Sequence, residues 1–195
     1  MDPRSNAILD ACNKFTDEKS CDNFYVGEHI PDKKLNNFIA ACESSGVDVR
    51  DDEFLALVDS TVFGSAKCGV AFGLSGLYCR NDWTAESKSG YISWDRLLAE
   101  GDPRKGASCE VLFIPHCDIG ANLAGSDVSQ GDFLQLIRRI RDGLQSMAMP
   151  SPVPSFVPPV PAIPAIPSTW TCDWCERIND GKSSVCAGCG APRGR

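Results

Sequence analysis

The chain has 195 residues, a formal net charge of −7 and 11 cysteines. That length admits one medium domain with a core of useful size and a small appendage. No window of about twenty residues is apolar enough to cross a bilayer, and the acidic balance argues against a phosphate-neutralising surface over most of the chain.

Residues 1–6 carry neither the basic stretch nor the apolar run of a secretory signal, so the expected location is cytoplasmic. Seven cysteines stand singly, at positions 12, 21, 42, 68, 79, 109 and 117. An odd number cannot all pair, which fits free thiols in a reducing compartment. Cys12, Cys42, Cys79 and Cys109 fall in apolar-patterned segments and are expected to pack as small hydrophobes.

Asp2-Pro3 is a start signal for a first helix, striped by Ile8, Leu9, Cys12 and Phe15. A second helix begins at Pro31, places Leu35, Phe38, Ile39 and Cys42 on one face, and ends before Gly46. From Phe54 the texture changes to short apolar runs punctuated by glycine: 54–58, 61–63, 69–72, 77–80, 91–94 and 109–114. These runs predict strands. Gly73-Leu74-Ser75-Gly76 predicts a hairpin turn, with glycine supplying positive φ. A third helix opens at the capping pattern Ser129-Gln130-Gly131-Asp132 and is striped by Phe133, Leu136, Ile137, Ile140, Leu144 and Met147. Its other face holds Arg138, Arg139 and Arg141.

Residues 148–169 contain no charged side chain, and prolines stand at 150, 152, 154, 158, 159, 161, 164 and 167. This composition forbids helix and disfavours paired strands, so the segment reads as a spacer, with a ligand for an aromatic-lined groove as the weaker reading. The tail from Trp170 has four cations, Arg177, Lys182, Arg193 and Arg195, against Asp173, Glu176 and Asp180, and so carries +1. The remainder then carries −8.

The expected fold class is α+β: N-terminal helices and an antiparallel β meander or small barrel closed by a helix over residues 1–147, a Pro-rich linker at 148–169, and a small four-cysteine zinc finger at 170–195. Strands followed by one terminal helix, over about 50–147, is similar to the pleckstrin-homology-like small barrels. That resemblance rests on element order, with no diagnostic motif.

The chemistry lies in the tail. Cys172-x-x-Cys175, ten residues, then Cys186-x-x-Cys189 gives two tight turns that each present two thiolates to one ion. Zinc suits four thiolates, and a closed tetrahedron leaves no position for a catalytic water, so the site is structural. A disulfide pair, a redox Cys-x-x-Cys and a rubredoxin-type iron site are the competing readings, of which the redox one lacks a βαβ context. A segment this short needs metal binding, on the order of 10 kcal/mol or more, to fold.

Trp170, Cys172, Cys175, Asn179, Cys186, Cys189 and Pro192 together resemble the Ran-binding-protein-type zinc finger, also called the Npl-four class. The resemblance covers about 25 of the 195 residues. It implies two short hairpins crossing around Zn2+, Trp170 packed on the knuckles and Asn179 holding the central loop. Ubiquitin-binding members place Thr-Phe after the second cysteine and a hydrophobic residue inside the last pair; here stand Glu176-Arg177 and Ala187-Gly188. RNA-binding members use an aromatic residue in the central loop, which residues 176–185 lack. The candidate partner-binding residues are therefore Trp174, as a stacking face, with Arg177, Asn179 and Lys182.

Three weaker signals are set aside. Gly64 to Gly69 has phosphate-loop glycine spacing, but Val70-Ala71 replaces the required Lys-Ser/Thr, so no nucleotide is expected. His116 and Cys117, as neighbours in an extended segment, point to opposite sides. Asp51, Asp52, Glu53 and Asp59 read as a solvated rim. The sequence thus predicts a cytoplasmic, non-catalytic adaptor whose finger engages a partner protein. Single-stranded RNA binding through the finger and an enzyme with its site in the body are the alternatives.

Overall fold

The structure, a computed structural model, describes residues 2–49, 51–114, 118–148, 169–172, 175–191 and 193. It divides into two units, Met1–Pro150 and Ser151–Arg195. All of the predicted linker except its end residues, and also His116, Cys117, Trp174 and Pro192, lie outside the described residues.

The first unit is α+β. Helix α1 (Pro3–Glu18) begins where Asp2 accepts a hydrogen bond from Arg4 N with proline at the first position, and it buries Ile8, Cys12 and Phe15. Strand β1 (Phe24–Val26) and a single 3-10 turn lead to α2 (Asp32–Ser44), which buries Phe38 and Cys42. Strands β2 (Phe54–Asp59), β3 (Gly69–Gly73), β4 (Gly76–Arg80) and β5 (Gly90–Ser93) then join β1 in one antiparallel meander, in the order β1-β2-β3-β4-β5. Short α3 (Trp94–Ala99) follows, then a second meander of β6 (Arg104–Lys105), β7 (Glu110–Ile114) and β8 (Ile119–Asn122). Helix α4 (Gln130–Ala148) closes the unit.

Strand alternation separates two cores on the faces of the five-stranded sheet. Val58, Val70, Phe72, Leu77, Cys79 and Ile92 join α1, α3, α4 and the three-stranded sheet in the larger core. Leu57, Ala71 and Tyr78 point the other way and meet Phe38 and Cys42 of α2. A register shift between Phe54 and Ala56 puts both Leu55 and Ala56 in the larger core.

The meander forms, and no closed barrel does among the described residues: β1 and β5 are the two edges of an open sheet. Thr61 to Phe63 is a turn, because Asp59 Oδ1 accepts from Thr61 N at 2.9 Å and draws the chain out of the sheet. The run at 91–94 splits, with Ser93 Oγ accepting from Arg96 N and so starting α3 at Trp94. Neither Gly73 nor Gly76 has positive φ; a Cβ at Gly76 would stand 2.2 Å from Ile92 O, so close approach is what requires glycine there.

Four side chains differ from expectation in burial, one being Met147, which stands at the far end of the α4 stripe and is 41% exposed. Cys109 is exposed, because it precedes β7 and lies outside the sheet. Arg141, on the polar face of α4, is buried and ion-paired with Asp102. Asp59 is fully buried, held by Lys34 Nζ at 2.7 Å.

Candidate metal centre

In the second unit, β9 (Thr169–Thr171) and β10 (Ile178–Asp180) pair antiparallel with Trp170 opposite Asn179. The turn after β9 carries Cys172 and Cys175. Cys172 N donates to Arg177 O at 2.9 Å, and Glu176 N donates to Cys172 O at 2.8 Å. The same pattern recurs fourteen positions later, where Cys186 N donates to Ala191 O at 2.8 Å and Gly190 N to Cys186 O at 3.0 Å. The fourth residue after each leading cysteine is left-handed, Glu176 at φ 56 and Gly190 at φ 72. The backbone hydrogen bonds around Cys172 thus recur around Cys186.

These turns bring the four sulfurs together, all within 4.8 Å of one another. Cys172 and Cys189 Sγ are 3.6 Å apart, and Cys175 and Cys186 Sγ 3.5 Å. A disulfide requires about 2.05 Å. Four sulfurs at about 2.3 Å from a common tetrahedral ion stand about 3.8 Å apart, close to what is found. The residues therefore fit a metal ion, and their donor set is entirely soft thiolate.

Backbone dipoles support the charge. The N–H groups of Cys189 and Gly188 pull the Cys186 thiol down to about 6, Gly188 N lying 3.3 Å from its Sγ. The Arg177 backbone N–H pulls Cys175 the same way, but hydrogen bonding with the Cys186 and Cys189 sulfurs outweighs it and leaves that thiol up at about 12. A divalent ion bound here would take its ligands as thiolates and release their protons.

Asn179 is buried, and its amide joins the two turns, donating from Nδ2 to Arg177 O at 2.8 Å and accepting from Ala187 N at 2.9 Å. One contact, to Arg177 O, lies within the central loop, and the other reaches the second cysteine pair. That loop is held by Trp170, whose indole N–H donates to Ser183 O at 2.9 Å. Arg193 lies over the Trp170 ring at 5.6 Å and donates to Gly181 O. Sequence reasoning did not single out Arg193; a basic residue after the last cysteine pair was the available signal.

Among the other candidate partner residues, Arg177 and Lys182 are exposed, and Trp174 lies outside the described residues. A Cβ at Gly188 would stand 2.9 Å from Arg177 Cδ, so the arginine stem crosses the second turn. Two apolar side chains also face water, Ile178 at 70% and Val185 at 51% exposure. The sequence reading passed over both.

In the first unit, Asp52 gathers Ser75 Oγ and Tyr78 OH, and Tyr91 OH donates to Ser75 O at 3.1 Å. Burial pushes the Tyr78 hydroxyl up to about 12. These groups satisfy one another and tie the β3–β4 turn to the segment before β2.

No helix among the described residues is long and apolar enough to cross a membrane. Comparison of the chain with family models, with curated proteins and with solved structures gives no match.

Proposed function

We propose that the protein is a zinc-dependent, non-catalytic adaptor whose C-terminal module, of the Ran-binding-protein type, engages a partner protein. The observation that carries this reading is the cage of Cys172, Cys175, Cys186 and Cys189, with sulfur spacings suited to a tetrahedral ion. Zinc prefers that donor set and geometry, and four protein ligands leave no open position for chemistry. Its role is to supply the folding free energy that so short a segment lacks.

Once folded, the module presents Ile178 and Val185 to solvent beside the cations Arg177 and Lys182. Exposed apolar side chains with adjacent charge suit a protein surface. RNA recognition would need an aromatic platform, and the one described indole of the module, Trp170, is half-buried and fixed to Ser183.

Elemental analysis of the purified chain is expected to find one zinc per molecule, lost in Cys186→Ser. Ile178→Ser with Val185→Ser should retain the zinc and abolish capture of the partner protein. Binding of short single-stranded RNA that falls steeply with salt and depends on Arg177 and Lys182 would overturn the protein-binding reading.

A further inference from the structure

Apart from Met147, the large hydrophobic side chains exposed among the described residues of Met1–Pro150 are Val62, Phe63 and Trp83, at 82%, 96% and 94%. All three belong to two loops at one place. A cleft of about 390 Å³ is lined by Val62 and Phe63 from the β2–β3 loop, by Asp82 and Thr84 from the β4–β5 loop, and by Asn122 and Ala124 after β8. Trp83 stands between two of its lining residues.

Neither loop is slack. Thr61 Oγ1 accepts from Ser65 N at 2.7 Å and Ala66 N at 3.1 Å, Asn37 Nδ2 donates to Ser65 O at 2.9 Å, and buried Asp59 holds Thr61. On the other side, Asp82 Oδ1 accepts from Thr84 N at 3.0 Å, and Glu110 accepts from Glu86 N and Ser87 N at 2.7 and 2.8 Å. The fold fixes both loops through buried polar groups and still delivers a valine, a phenylalanine and a tryptophan to water. Folding gains nothing from that exposure, whereas a rigid aromatic anchor loses little entropy when a partner covers it.

Cys68 lines this cleft and also a second one of about 330 Å³, lined by Asn37, Ala41, Ser44, Lys67 and Arg80. Lys67 and Arg80 have no ion pair among the described residues, although the chain carries −7 and acids hold many of its other cations. Arg80 is steadied by donating Nε to Ala41 O at 3.2 Å. The two clefts therefore join an apolar, aromatic end to a cationic end at Cys68.

We propose that this joined surface is a docking site for a peptide segment of a partner protein in which a carboxylate-bearing residue lies close to a bulky apolar one. The carboxylate meets Lys67 and Arg80, the apolar side chain enters the cleft beside Val62 and Phe63, and Trp83, on the neighbouring lining loop, is free to close on the bound segment. Charge complementarity selects this occupant: at the second cleft a basic segment would face Lys67 and Arg80, while an extended polyanion would meet Asp82 in the first cleft and the acidic body around it. Every residue of this site belongs to Met1–Pro150.

The test is selection of a displayed random peptide library on the full chain, with counter-selection on Phe63→Ser/Trp83→Ser. Both positions are exposed, so the double variant should keep the parent's thermal midpoint, which is checked first. Enriched peptides are expected to place Asp or Glu within a few residues of Leu, Ile, Met or Phe. As synthetic peptides they should bind at least about tenfold more weakly to Phe63→Ser/Trp83→Ser. Binding should also weaken on Lys67→Glu and with rising salt. Enrichment of basic or proline-rich peptides, or of none that depends on Phe63 and Trp83, would overturn the proposal. So would a self-association of the parent, seen by light scattering, that the double variant abolishes, or Trp83-dependent binding to phosphatidylcholine vesicles.

Discussion

Asp59 ends β2 with its carboxylate out of water, held by Lys34 Nζ at 2.7 Å and by Thr61 N at 2.9 Å. Asp59→Ala would leave Lys34 beside a site built for an anion and release the β2–β3 loop. Its expected effect is a loss of about 3 kcal/mol in urea unfolding of the full chain. As one of several acids in a polar-looking stretch, Asp59 reads in sequence as surface, since its partner lies 25 positions away. Glu176 supplies the opposite case. It holds φ 56 where its counterpart in the second turn is Gly190. Glu176→Gly should therefore stabilise the metal-loaded tail by about 1 kcal/mol, measured as a higher chelator concentration for half-release of the ion. The cysteine spacing was legible because ligands of one turn are neighbours in sequence. The roles of Asn179 and Arg193 were less so, because each reaches across the module to backbone atoms that no spacing reveals.

Elements with long periodic stripes, α1, α2 and α4, could be read directly, because burial on one helical face repeats often enough to be recognised. Strands β1, β6 and β8, of three, two and four residues, are too short to show a period and exist through their partners β2 and β7. Residues 61–63 had strand-like composition, yet the Asp59 side chain competes for the backbone and wins. The helices and sheet also bury thiols. Burial holds the Cys12 and Cys79 thiols far above their ordinary value and pushes Cys42 up to about 12. In the unfolded chain these groups ionise near 8.5, so above about pH 9 the unfolded state sheds protons that the native state keeps. Stability from this source is complete below about pH 8 and is lost as pH rises. The thermal midpoint of the body should fall between pH 8 and pH 10.5, and fall less in Cys42→Ala. In the native protein at pH 8, iodoacetamide should leave Cys12, Cys42 and Cys79 unmodified, which peptide mapping would show.

Both apolar cores of the body lie within residues 8–144, whereas the module after residue 168 has little more than Cys172, Cys186 and Asn179 out of water. Chelation should accordingly remove the signal of Trp170 packing and leave the unfolding free energy of the body, measured in urea, unchanged within about 0.5 kcal/mol. A midpoint that dropped with chelation would show that the metal supports more than the tail. The sequence by itself determined the division of labour along the chain, the α+β class and the four thiol ligands, since composition, helical period and turn-length spacing are local quantities. Only the tertiary structure decided that the sheet stays open between two cores, that Asp59 and Arg141 are buried, and that the loops carrying Val62, Phe63 and Trp83 line one cleft that shares Cys68 with the cleft of Lys67 and Arg80. Those features depend on which distant segments meet, and contact between segments far apart in the chain is settled by packing the whole.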